Sequence, residues 1–274
     1  MTPRNWAGSL PVAILATVLG LASVHPAPAA AQDMLRYLDL NSDDFTKADM
    51  TRAEIAAVLA AAGPAGTVDL AGKRLNGLDL SGLDLRRAKL QGARLNRAKL
   101  AGTRLDGVNL DQAWALDADL TGASLKGASL FASQLQGARL DGADLSGARI
   151  TADLSRASLK GARLDGADLS ADLRNQSMGL MRGVLRSAKL DGASLVNANL
   201  SRAVLEFASL RDADLTGAKL AGAELAGADL QGAVIAGADL NGADLTSARL
   251  LGLRGRDKAV NLDKARNLDR AFVE

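Results

Sequence analysis

Residues 216–245 of the chain read TGAKL AGAEL AGADL QGAVI AGADL NGADL, a five-residue unit repeated without interruption. The unit ends in an aliphatic residue, which we call the centre, and carries a small residue two positions before it. With two small changes of spacing, 37 centres extend from Leu70 to Leu250; 34 of them are Leu, and 28 are preceded two positions earlier by Ala. A repeat of this length decides the architecture before any other feature does.

Side-chain direction explains the unit. In an extended segment, residues two apart point to the same side. Ala243 and Leu245 therefore face inward, whereas Asp244 between them faces water, and the preceding Asn241 and Gly242 are typical of a turn. A helix cannot reproduce the pattern, because at about 100° per residue successive centres would drift around every side. The sequence thus predicts stacked extended edges and corners, an all-β solenoid.

The units Ala143-Asp144-Leu145 and Ala198-Asn199-Leu200 add a more specific resemblance. Their tandem Ala-(Asp/Asn)-Leu-x-x pattern resembles the pentapeptide-repeat family over residues 66–250. Members of that family fold as a right-handed quadrilateral β-helix with four repeats in each coil. The resemblance therefore implies a rod of about nine coils, stacked as in other solenoids.

One irregularity interrupts the repeat. The spacing loses one residue between Ile150 and Leu154 and another between Leu169 and Leu173, and the stretch that ends at Leu180 restores two. Because the losses and the gain cancel, the later faces keep the register of the earlier ones. We expect a local bulge or loop on a continuous rod, not a break into two domains.

The flanking segments predict three further parts. Residues 1–31 resemble a signal peptide, with Arg4 before an apolar run and small residues ahead of a cleavage site after Ala31. The alternative is an uncleaved anchor, but the run is shorter than the roughly 20 residues that a spanning helix needs. Residues 32–65 predict a helical preface with a capping box of Thr51 and Glu54. Residues 251–274, where the pattern dissolves, predict a C-terminal cap, and no later segment could span a bilayer.

Composition argues against catalysis. The chain has no cysteine, and its one histidine, His25, lies in the predicted signal peptide. The mature protein would therefore lack the usual general base near pH 7 and the usual zinc ligands. The acidic stretch 39–43 resembles only the first half of a calcium loop, because Asp44 and Met50 stand where glycine and glutamate are required. We expect no enzyme, no metal and no cofactor.

Charge provides the first candidate contact surface. Seven basic residues lie close together in the sequence, with no acidic residue among them. They occupy about the length of one four-repeat coil, so we predict that they form a belt around the rod. Acidic residues prevail later, from 206 to 244. The belt residues are Arg86, Arg87, Lys89, Arg94, Arg97, Lys99 and Arg104. In a chain of formal charge +2 they are either an ordinary solvated stretch or a site for an anionic envelope polymer.

Outward apolar residues provide the second candidate. Val184 and Val204 are predicted on one face of adjacent coils, with further apolar residues at nearby corners. The complete set is Met181, Val184, Val204, Phe207, Trp114 and Phe131. Grouped apolar side chains on a surface indicate contact with a partner protein or with a second copy of the chain. The alternative is that local loops or the preface cover them.

These observations favour a non-enzymatic, exported interaction or structural scaffold that presents a rigid surface in the periplasm or outside the cell. The partner would be a protein or an anionic envelope polymer. The alternative, implied by the family resemblance, is a DNA mimic that inhibits a topoisomerase. That role requires a cytoplasmic protein with a strongly acidic surface, whereas this chain carries a predicted export signal and nearly balanced charge, so we expect no nucleic-acid role.

Overall fold

The computed structural model describes residues 38–63, 65–173 and 181–273. The signal peptide predicted over residues 1–31 lies outside them. The regular elements are short: α1 Asp43–Thr46, α2 Arg52–Ala61, β1 Val68–Asp69 and β2 Ala88–Lys89, followed by three 3₁₀ turns, Arg256–Lys258, Leu262–Lys264 and Leu268–Arg270. None of the helices in this described part is long and apolar enough to cross a bilayer.

Parallel pairing between consecutive coils builds the solenoid. β1 pairs with β2, and the bridges that follow mostly join residues 20 positions apart, such as Lys219 and Asp239. Twenty residues are four repeats, so each coil has four faces. We number the faces by the outward residues of their first two rungs: Asp69 and Lys89 on face 1, Arg74 and Arg94 on face 2, Asp79 and Lys99 on face 3, and Asp84 and Arg104 on face 4.

The backbone hydrogen bonds explain why the inside of the repeat varies so little. The Leu145 N–H donates to the carbonyl of Arg163 in the next coil at 2.7 Å, and the Asp144 N–H donates to Ala123 in the preceding coil at 2.9 Å. Gly142 turns the corner at a φ of +65°, where a side chain would be strained. The inward Leu145 has no exposed surface. Satisfied backbone and buried aliphatic side chains together fix the shape of each coil.

The predicted irregularity is present at the corner after Ile150 and again between Leu169 and Gly183, where we call the described residues 170–173 and 181–182 the loop. The corner after Ile150 has one residue, Thr151, instead of two. After Leu169 the chain leaves the coil and returns at Gly183, whose N–H donates to the carbonyl of Leu169 at 2.9 Å. The predicted centre Leu180 lies outside the described residues.

The prediction of Leu173 as an inward centre was wrong. Its side chain belongs to the loop and is 52% exposed. The coil instead resumes with Val184, which bridges both Asp153 below and Val204 above. The rod continues across the interruption, because the chain leaves and re-enters at one corner. The prediction that the later faces keep the register of the earlier ones was wrong. By count Val184 would lie on face 4, two coils above Asp144, but it lies on face 2, because the interruption takes two repeats out of the ladder.

The segment before the repeats packs on the first coil. Thr51 and Glu54 form the predicted capping box of α2, each side chain bonded to the backbone of the other. Ile55 of α2 is fully buried and belongs to the same hydrophobic cluster as the first centres. Upstream, Ala48 pairs with Leu75 in an antiparallel bridge. We call residues 38–50 the strap, because they run along face 2.

After Leu250 the repeat lengthens, and the prediction that its pattern dissolves there was wrong. Residues 255–272 form three six-residue units, GRDKAV NLDKAR NLDRAF. Each unit enlarges its corner to a 3₁₀ turn and then rejoins the ladder, as in the bridges of Val260 with Asp239 and Phe272 with Arg249. Leu262 and Leu268 pack against the core from this last coil and remain half-buried.

Candidate interaction surface

The basic belt surrounds the rod as predicted. Lys89 lies on face 1, Arg94 on face 2, Lys99 on face 3 and Arg104 on face 4. Arg86, Arg87 and Arg97 occupy corners of the same region. No single face therefore gathers the seven positive charges, and a flat polyanion would meet only a few of them at once.

Acidic residues from outside the belt neutralise part of it. Asp84 accepts from Arg86 at 2.6 Å and lies 3.4 Å from Arg104 on the same face. The hydrogen bonds from Arg86 lower the pKa of Asp84 to about 2. Arg87 instead donates to the carbonyl oxygen of Gly63 at 2.6 Å. Among the described residues, Lys89, Arg97 and Lys99 have no ion pair, so the belt that remains for a partner is weaker than its sequence suggests.

The strap forms an ion pair with Arg94 and covers part of Trp114. Arg94 pairs with Asp44 at 2.7 Å, and its guanidinium lies 5.2 Å from the centre of the Phe45 ring. Phe45 in turn meets Trp114 edge to face, with ring centres 5.2 Å apart. Trp114 is therefore half-buried by the chain itself and is not a free contact, which was the alternative that the sequence left open for this residue.

Val184 and Val204 lie on one face in adjacent coils, as predicted, and that face is face 2. Neither side chain is exposed enough to contact a partner. Only 7% of Val184 and 2% of Val204 is exposed. The Arg182 side chain reaches past them, because its Nη1 donates to the carbonyl of Arg202 at 3.1 Å and to Glu224 Oε1 at 2.7 Å. The prediction of an exposed valine pair is wrong because the loop returns along this face.

The remaining apolar candidates differ from one another in exposure. Phe131 is half-buried, with the Arg149 guanidinium 4.9 Å from its ring centre, and Met181 is a half-buried residue of the loop. Phe207 is 66% exposed. The six predicted residues therefore do not form one patch, and Phe207 is the member that a partner could reach.

Phe207 also occupies an unfavourable backbone conformation. It stands at a corner with a φ of +58°, in the left-handed region that glycine occupies at most corners of the rod. A Cβ on Gly227, the equivalent corner of the next coil, would lie 2.6 Å from the Phe207 ring, so the ring extends across that glycine. Backbone strain of this kind costs of order 1 kcal/mol. Non-glycine residues at other corners, such as Arg202 and Asp212, share it, so the exposed ring and not the φ distinguishes Phe207. The sequence signal was present, because Phe replaces the usual turn residue.

The interior of the rod offers no site. Where Ala115 replaces the usual Leu, the core contains a void of about 10 Å³ lined by the neighbouring centres, which is too small for a ligand. Among the described residues, no group of three or more acidic, histidine or cysteine side chains could hold a metal ion. Within the part of the chain that the structure describes, the outward residues are therefore the candidates for contacts with other molecules.

A four-sided β-helix with Leu and Ala inside defines a class of solenoid proteins, and the sequence comparison places the chain within it. The family description "Pentapeptide repeats" matches residues 79–113, 117–147, 149–175, 184–217 and 213–252, which is more than half of the chain. The protein belongs to the pentapeptide-repeat family, and its fold is a right-handed β-helix. No curated protein matches it significantly in sequence.

Solved structures of the same family resemble the chain. HetL, a pentapeptide repeat protein involved in heterocyst differentiation regulation from the cyanobacterium Nostoc sp. strain PCC 7120, is 33% identical; the match covers 81% of this chain and 94% of HetL, with a TM-score of 0.42. A trypsin-treated form of QnrB1, a plasmid-mediated fluoroquinolone resistance protein, is 21% identical over 73% of this chain and 89% of that one, with a TM-score of 0.44. A pentapeptide repeat protein from the Arabidopsis thaliana thylakoid lumen is 31% identical; the match covers 38% of this chain and 63% of that protein, with a TM-score of 0.19.

Proposed function

We propose that the protein is an exported, non-enzymatic scaffold that presents the outside of a rigid rod to a partner in the periplasm or outside the cell. In this proposal the rod has about nine coils. The helical preface closes one end, and the six-residue units close the other. The observation that carries the proposal is the filled interior: the core leaves no space for a substrate, and nearly all charged side chains of the repeats point outward.

The order of charges along the faces supports a scaffold over a DNA mimic. On face 3, Asp79, Lys99, Asp119 and Arg139 follow one another in adjacent coils, so opposite charges alternate. A DNA surface presents negative charge at every phosphate, roughly every 1.7 Å along its axis. Alternating signs do not reproduce that potential. They stabilise the stack of coils instead, since opposite charges on neighbouring strands attract.

Phe207 is the contact that we assign to the partner. An exposed ring at a strained corner lowers stability without improving the rod, whereas aromatic side chains commonly contribute much of the binding energy at protein interfaces. The ring extends over the bare corner at Gly227, which leaves one side of the ring open. The partner in this proposal is a protein with an apolar pocket.

A pair of corner variants tests the proposal. Phe207→Asn removes the ring and places a residue that tolerates the left-handed conformation, so it should raise the free energy of unfolding by a few tenths of a kcal/mol and abolish partner capture. Arg202→Asn is the matched control, because Arg202 is an exposed corner residue of the same coil with a φ of +61°. Capture from envelope extract by immobilised wild-type protein and both variants is compared by mass spectrometry. Equal capture by wild type and Phe207→Asn would exclude Phe207 as the contact.

A further inference from the structure

The one interruption of the repeat coincides with a cavity on the surface of the rod. The cavity has a volume of about 210 Å³ and lies where the one-residue corner at Thr151 faces the start of the loop after Leu169. Its walls include Arg149, Thr151, Asp168, Ser170, Asp172 and Leu173. A regular corner would fill this space with a second residue. The recess therefore coincides with the irregular spacing.

The walls of the cavity are polar and of mixed charge. Arg149 Nη2 lies 3.1 Å from Asp172 Oδ2, and the guanidinium is held over the Phe131 ring at 4.9 Å. Asp168 Oδ1 accepts from both the N–H and the hydroxyl of Ser170, at 3.1 and 2.6 Å. These contacts fix one guanidinium and two carboxylates around the space. The site thus offers hydrogen-bond donors and acceptors side by side.

Thr151 is the feature that indicates a ligand. Its side chain is only 3% exposed, and its Oγ1 has no hydrogen-bond partner. A buried hydroxyl without a partner costs about 1–3 kcal/mol, so such groups are rare in native proteins. The same residue lines the cavity. Oγ1 itself is closed off from solvent, so a ligand hydroxyl would satisfy it after a rotation of the Thr151 side chain toward the cavity.

We propose that the cavity binds a single saccharide unit, either free or at the end of a polymer. Vicinal hydroxyls of a sugar can donate to the carboxylates of Asp168 and Asp172 and accept from Arg149 and Thr151. A phosphate would meet two carboxylates beside one guanidinium and be repelled. A lipid chain would leave the polar walls unsatisfied. The volume is below the 300–1,000 Å³ typical of drug-sized ligands and suits one ring.

This inference does not rest on the proposed export or on Phe207. Binding is measured with the purified full-length chain, so a cytoplasmic location would leave it intact. Failure of sugar binding would equally leave the capture experiment at Phe207 unaffected. The two proposals therefore fail separately.

Saturation-transfer NMR with glucose, galactose, mannose and N-acetylglucosamine tests the site, with ethanolamine and inorganic phosphate as the competing chemistries. We expect at least one sugar to bind with a millimolar or lower Kd, and neither of the other two probes to bind. Thr151→Val should weaken binding about fivefold, the value of one net hydrogen bond, with no loss of thermal stability. Arg149→Met should weaken it about tenfold or more, because hydrogen bonds to charged groups are stronger.

The matched control is Thr103→Val. Thr103 is equally buried, but its hydroxyl donates to the carbonyl of Leu100 at 2.7 Å and lies outside the cavity. This variant should lower Tm and leave the sugar Kd unchanged. The proposal is overturned if none of the four sugars gives saturation transfer, if ethanolamine or phosphate binds in their place, or if Thr151→Val and Arg149→Met bind sugar as tightly as wild type.

Discussion

Face 2 and face 3 are built from the same repeat, yet their outward residues differ in exposure to solvent. On face 3, Asp79, Lys99, Asp119 and Arg139 alternate in charge from coil to coil, and all except the half-buried Asp119 are exposed. On face 2, the outward residues from Gln134 to Val204 are at most 9% exposed. The five-residue pattern thus determines which residues are buried inside the rod. The exposure of the outward residues depends on segments outside the repeat, namely the strap and the irregular segment that contains Arg182.

The largest expected effect should be identical on the two faces. Leu205 follows the outward residue of face 2, Leu210 follows that of face 3, and neither has exposed surface. Leu205→Ala and Leu210→Ala should each lower the free energy of unfolding by about 3 kcal/mol, because each leaves a cavity in the same layered core. Urea denaturation measures both. A difference of more than about 1.5 kcal/mol between them would mean that the core is not uniform.

Replacing an outward valine by lysine should lower stability more on face 2 than on an uncovered face. Val204→Lys on face 2 places a charge where only 2% of the side chain is exposed, and should cost about 2–3 kcal/mol. Val234→Lys on face 4 is the matched control, since Val234 is half-buried and lies in the outward position. It should change stability by about 0.5 kcal/mol or less, as surface substitutions do. Equal losses in the two variants would refute the burial of face 2.

Removing the cover over face 2 should have a smaller effect. Phe45→Ala should cost about 2 kcal/mol, below the range for a central core phenylalanine, because the strap can repack. The emission of Trp114, the one tryptophan after residue 31, should shift to longer wavelength as the indole gains water. Unchanged emission with reduced stability would show that Phe45 acts in the strap without covering Trp114.

The smallest effect concerns a pair of charges on face 4. The pKa of Asp84 is lowered to about 2 by Arg86, so this carboxylate stabilises the fold above its unfolded pKa of about 4, and the contribution is lost as the pH falls through 2. The carboxylate is well exposed, so solvent screening reduces its effect to about 0.5 kcal/mol at neutral pH. The free energy of unfolding, measured by urea denaturation, should be higher for wild type than for Asp84→Asn by that amount at pH 7 and equal for the two near pH 2. A gap that persists at pH 2 would rule out the charge as its cause.

The repeat was predictable because each unit carries its own information. The spacing of Ala and Leu specifies burial, and the capping box of α2 is likewise local. The burial of Val204 was not predictable in the same way, because it depends on Arg182 in an irregular loop. Leu173 fits the spacing of a centre but belongs to that loop, which no five-residue count can distinguish from a coil.

The candidate surfaces were less predictable for the same reason. The belt was correctly placed around the rod, but Asp44 and Asp84, which pair with it, precede the window over which its charge was counted. The cavity gave only an indirect signal, the shortened spacing at Thr151. A missing residue indicates an irregular corner, but the polar groups that surround it come from the following coil as well.

The most direct test of the central claim, an exported scaffold, is the N-terminal sequence of the protein recovered from separated cell fractions. We predict a chain that begins at Gln32, found in the periplasm or the medium, after cleavage behind Ala31. A chain that retains residues 1–31 and remains in the cytoplasm would contradict it and would favour the DNA-mimic alternative.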